Sequence, residues 1–165
     1  MSAAAQMTSS KTAEDWLDVL MSVTEEFAHE SLGFASYSTQ GRHGTAPKSG
    51  TGTYIPLVGA RASLEMGIVS TDTGCRQLAG ALLGMDAEES AELSEDDVVD
   101  AFCEIINIVS GVVKQRVNEE DSSFNLGLPI FVKGQIRVME HQGTAVADVQ
   151  VGDIPVQLVV VTPQR

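Results

Sequence analysis

Asp100, Glu104 and Asn107 stand at spacings of four and three within the most regular helical pattern of the chain, and Gly111 follows four residues later. At 100° per residue, this places the three polar side chains in a stripe about 60° wide and about 10 Å long. A carboxylate on such a stripe can pair with a cation, and a carboxamide can both donate to and accept from a water molecule. The same spacing also describes the solvated outside of an amphipathic helix, so the stripe alone leaves both readings open. Gly111 favours contact. A mid-helix glycine costs about 1 kcal/mol relative to alanine, and close approach of another backbone or a partner helix is a reason to tolerate it.

Other chemistries find less support. Cys103 adjoins Glu104 but falls on the flank of the helix with no histidine at local spacing, so a packed thiol is expected rather than a nucleophile. His29, His43 and His141 are far apart, and most acidic residues fall in helix starts or loops, so no metal site is expected. No glycine-rich phosphate loop joins a strand to a helix, which disfavours a small-molecule-binding α/β domain. The net charge of -13 and the lack of a dense basic block argue against nucleic acid as a partner.

The helix that carries the stripe is predicted over Glu95–Val117. Ser94 and Asp97 have capping spacing, the first turn is acidic, and Phe102, Ile105, Ile106, Ile108, Val109, Val112 and Val113 fill the opposite side as a core face. A first helix should start at Thr12, which has capping-box spacing to Asp15, and end within residues 31–33. Residues 36–53 are crowded with Gly, Ser and Thr and read as a mobile loop. Residues 54–58 and 63–70 read as an antiparallel pair turned by 59–62. A short helix is expected over 73–83, capped by Asp72 or Thr73 and closed by Gly84, with the acidic stretch 86–92 as a connection. Residues 128–132, 135–139, 144–149 and 154–161 read as strands.

These elements fit an α+β domain over 12–165 behind a flexible segment of residues 1–11. At 165 residues and 43% hydrophobic content, a core can form without disulfides, so Cys75 and Cys103 are expected as buried, reduced thiols. No stretch has the pattern of a secretory signal or a membrane span, so the expected location is the cytoplasm. Both halves place a helix ahead of a β pair. The likeness of Tyr54-Ile-Pro-Leu-Val58 to Gly127-Leu-Pro-Ile-Phe131 suggests an old duplication.

Twenty-one residues separate Asn107 from Pro129, and the string Asp100, Glu104, Asn107, Pro129 resembles the signature of the CheC, CheX and FliY phosphatases. All four positions are met. The resemblance implies a CheC-like fold, with two pseudo-repeated helix-plus-strand units and a long active-site helix on the sheet. It implies hydrolysis of the phospho-aspartate of a CheY-like response regulator. Asn107 would orient the attacking water, and Glu104 would engage a receiver lysine. Asp100 would support the helix or interface, and Pro129 would shape the loop into the next strand. No cofactor of its own is implied, since Mg2+ belongs to the receiver. A phosphoryl transition state with little covalent chemistry needs positioning and charge neutralisation more than a nucleophile, which suits these residue types.

CheC-like members carry two copies of the motif and CheX-like members one. Ser22, Glu26 and His29 have the spacing of a second copy without its amide, and Pro56 lies too far downstream, so one site is expected. CheX-like resemblance also implies a homodimer, for which residues 154–161 are a pairing segment if they form an exposed apolar edge. The alternative is a non-catalytic receiver-binding or flagellar-switch-like docking module of the same fold. That use does not require the Glu104 and Asn107 pair.

Overall fold

The computed structural model describes residues 11–163. Helix α1 (Ala13–Glu30) is followed by strands β1 (Tyr37–His43), β2 (Gly50–Val58) and β3 (Ser63–Ser70). Helices α2 (Asp72–Leu82), α3 (Ala87–Ala91) and α4 (Glu95–Val117) come next, then β4 (Asn125–Leu126), β5 (Ile130–Gly134), β6 (Gln142–Val151) and β7 (Ile154–Pro163). The strands form one antiparallel sheet in the order β1-β6-β7-β3-β2-β4, with β5 also paired to β2. The expected α+β architecture and its repeated plan are both present. Each half supplies a long helix and a strand hairpin, β2–β3 or β6–β7, and the halves meet where β3 pairs with β7.

Local signals set the long helices. Thr12 accepts from the Asp15 amide at 3.2 Å while Asp15 accepts from the Thr12 amide at 2.8 Å, completing a capping box. Ser94 accepts from the Asp97 amide at 3.1 Å, and α4 then runs over the predicted residues. Leu17, Leu20 and Val23 of α1 and Phe102, Ile106, Val109 and Val113 of α4 bury against Ile55, Leu57, Met66, Leu158 and Val160 of the sheet. The ring of Trp16 meets that of Phe124 edge-on, with centroids 5.3 Å apart.

Several expectations need correction. Residues 36–53 are not a loop throughout: β1 pairs with β6, and β2 begins at Gly50. The glycines that suggested a loop serve strand proximity instead, because a β-carbon on Gly50 would lie 2.7 Å from the Ser70 carbonyl and one on Gly52 would strike that of Ile68. The acidic stretch folds into α3, because Asp86 and Glu89 form a capping box of their own. The cap of α2 is Thr71, one residue ahead of the expected pair, while Asp72 accepts from the Thr51 hydroxyl.

Residues 135–139 leave the ladder after Gly134, whose φ is +120°. Their alternation is used differently: Ile136 and Val138 pack with Val132 over Tyr54, Val69, Val146, Val159 and Val161 on the outer face of the sheet. Strand β7 is not an edge. It is hydrogen-bonded to β3 on one side and β6 on the other, so residues 154–161 have no free ladder for a second copy. The two proline-containing segments are sheet neighbours rather than counterparts, since β2 pairs with β4 and β5.

Residues 1–10 of the expected flexible segment lie outside those described, while Lys11 pairs with Glu120 at 2.8 Å. Among the described residues, no helix is long and apolar enough to cross a membrane.

Candidate active site

Helix α4 lies over β2, β3, β4 and β5 with α1 and α2 against its flanks. Its first turn is tied to the sheet by Lys133 and Glu95, 2.5 Å apart. With the apolar side turned to the core, Asp100 and Glu104 are exposed, and Asn107 and Gly111 are half-buried. Among the described residues, no hydrogen bond or ion pair engages the side chain of Asp100, Glu104 or Asn107. The carboxylate and the amide therefore share one open helix face with their bonding capacity unspent. Among the described residues, a β-carbon on Gly111 would meet nothing within 4 Å, so the expected close approach does not come from them.

Pro129 lies in the short connection from β4 to β5. Leu126 pairs with Leu57 and Ile130 with Tyr54, so residues 127–129 stand across from only Ile55 and Pro56 and must bulge. The Gly127 amide donates to the Pro56 carbonyl at 2.9 Å, and a β-carbon on Gly127 would collide with the Pro56 ring. The result is an outward loop whose neighbour Leu128 is 84% exposed. Pro129 therefore sits in the bulged connection at the edge that α4 overlies.

The corresponding face of α1 is also exposed, but its polar groups are paired. Arg116, in the last turn of α4, donates to the Ser22 hydroxyl at 3.0 Å and pairs with the Glu26 carboxylate. His29 Nδ1 donates to the Phe34 carbonyl at 2.8 Å, and its Nε2 lies 4.0 Å from Glu25. The α1 stripe is therefore engaged by internal partners, whereas the α4 stripe has none among the described residues. Arg116 was missed in sequence because its partners are distant along the chain.

Neither cysteine is suited to nucleophilic work. Cys75 is buried, donates to the Thr51 carbonyl at 3.2 Å, and has its pKa pushed up to about 12 by burial. Cys103 is free and only half-buried, less enclosed than expected, and its pKa is raised by burial and then by the nearby Asp100 charge. Among the described residues, no group of three His, Cys, Asp or Glu side chains is placed to hold a metal ion.

The family model described as chemotaxis phosphatase CheX matches residues 52–150, a span that holds all of α4 and the full signature from Asp100 to Pro129. The chain belongs to the CheX family. The fold agrees: CheX from Vibrio vulnificus superposes with a TM-score of 0.74 at 15% identity, covering 90% of this chain and 99% of that chain. A CheC-like protein from Shewanella gives 0.69 at 18% identity, covering 89% and 94%. A chain of the CheX-CheY-BeF3-Mg+2 complex from Borrelia burgdorferi gives 0.68 at 14% identity, covering 92% and 99%. Comparison with curated proteins found no match.

Proposed function

We propose that this CheX-family chain hydrolyses the phospho-aspartate of a CheY-like receiver domain, with Asn107 and Glu104 as its working pair. Asn107 holds a water molecule in line with the phosphorus. Attack forms a new P–O bond and breaks the bond to the aspartyl oxygen, releasing inorganic phosphate and regenerating the carboxylate. Glu104 pairs with a receiver lysine and fixes the approach of the two domains. Mg2+ bound to the receiver offsets phosphoryl charge, so this chain needs only to supply position and polarity. Asp100 stands one turn before Glu104 and adds negative charge to the docking face.

The observation that carries this reading is the contrast between two helix faces of one plan. The face on α4 presents a carboxylate and an amide with no partner among the described residues, whereas the face on α1 is taken by Arg116 and lacks the amide. The test is acyl-phosphate decay in a panel of CheY-like receiver domains, each phosphorylated with acetyl phosphate, with and without this protein. Faster decay of at least one receiver supports the reading. Tight binding with unchanged decay would instead favour a non-catalytic docking module.

A further inference from the structure

Beside the signature face, a groove of about 460 Å3 runs between α4 and the C-terminal end of α2. One wall exists because of how α2 stops. Gly84 takes a left-handed conformation at φ +71°, the Met85 amide donates to the Gly80 carbonyl at 2.9 Å, and the Gly84 amide donates to the Ala81 carbonyl at 3.2 Å. This turn leaves Leu83 at the cap, 49% exposed, beside half-buried Leu82 and Met85. Leu93 and Ala101 form the floor.

The facing wall is acidic. Asp97, Asp100 and Glu104 recur on α4 at i, i+3 and i+7, with Ala101 at i+4 in the same row. Among the described residues, no cation forms an ion pair with these carboxylates: Arg76 is spent on the Leu93 carbonyl, and Lys133 pairs with Glu95. The row ends on Glu104, so the groove is continuous with the proposed site.

We infer that this groove is the docking cleft for the receiver domain, seating an apolar side chain flanked by lysine or arginine. This rests on the reading given under Proposed function. The apolar residue packs on Leu83 and Met85, its basic neighbours pair with Asp97 and Asp100, and Glu104 takes the cation nearest the phosphoryl group. Charge selects this occupant over a second copy of the chain. Each copy carries a net charge of -13, and self-association here would bring like carboxylates together.

The test uses CheY receiver domains phosphorylated with acetyl phosphate and compares Leu83→Ala, Leu83→Glu and the double variant Asp97→Asn, Asp100→Asn. Leu83→Ala is expected to raise KM about tenfold with kcat within about twofold, and Leu83→Glu more, as for an exposed anchor in an interface. The acidic double variant should raise KM about three- to tenfold and flatten its salt dependence. Unchanged thermal midpoints would separate lost docking from lost fold, since Leu83, Asp97 and Asp100 are all exposed. If neither class of variant moves KM while Asn107→Ala still slows turnover by on the order of 10² to 10³, the groove inference is wrong and the site reading stands. If the parent protein accelerates no receiver, the site reading fails and the groove falls with it.

Discussion

Gly111→Ala should make the protein more stable and less active. The position lies in the interior of α4 on the signature stripe, one turn beyond Asn107. A helical glycine gives up about 1 kcal/mol relative to alanine, and here nothing offsets that loss internally, because the added methyl would meet no atom within 4 Å. The gain should therefore approach the full propensity difference, raising the thermal midpoint by roughly 2–4 °C for a domain of this size. If a partner backbone closes on this point, the same methyl intrudes on the complex, so KM for a phosphorylated receiver should rise while the isolated protein gains stability. Scanning calorimetry and steady-state phosphate release on the same preparation read both effects. A fall in midpoint would refute the account of the helix. A higher midpoint with unchanged KM would refute the close-approach role of Gly111.

The α1 face should be dispensable: His29→Ala should leave turnover within about threefold of the parent, a change of about 0.7 kcal/mol in barrier, and a loss as large as that of Asn107→Ala would mean two working sites. Arg116→Ala removes contacts between groups 36% and 53% exposed, so screening limits its cost to about 0.2–1 kcal/mol, readable as a small drop in denaturation midpoint with kinetics unchanged. Alkaline stability should decline from about pH 9 to 12. Burial raises Cys75 from 9.0, and Tyr37 and Tyr54 from 10.0, to about 12, so the folded chain holds protons that the unfolded chain releases. Stability from these groups is complete below their unfolded pKa values and lost as pH rises through the folded ones. A chemical denaturation midpoint flat to pH 12 would contradict this. We predict a homodimer that does not pair through the β7 ladder, which is filled on both sides, and light scattering at micromolar concentration should give the mass of two chains. A dilution-independent monomer mass would argue against it.

The parts of the structure that were legible in sequence are those fixed by neighbours along the chain. Thr12 with Asp15 and Ser94 with Asp97 located two helix starts to the residue, because a cap and its third neighbour are joined by backbone geometry. Apolar periodicity then fixed which side of α4 faces outward, and with it the orientation of Asp100, Glu104 and Asn107. What failed depended on partners far away in sequence. Gly50 and Gly52 look like loop residues until β3 is laid beside them. Residues 154–161 would offer a pairing segment only as an exposed edge, yet Val156, Leu158 and Val160 on one face and Val159 and Val161 on the other are apolar, the pattern of a strand covered on both sides. Arg116 carries no local mark of its reach to Ser22 and Glu26. The exposure of Leu83 follows from a left-handed turn at Gly84 that sequence could place, but the groove needed α4 across from it.

Single-turnover decay of a phosphorylated CheY-like receiver separates the proposed action of Asn107 on the attacking water from that of Glu104 on the partner. At saturating protein, Asn107→Ala should slow phosphoryl loss by on the order of 10² to 10³ while leaving the concentration for half-saturation nearly unchanged. Glu104→Ala should shift that concentration upward. If Asn107→Ala hydrolyses the phospho-receiver as fast as the parent protein, the assignment of catalysis to α4 is wrong.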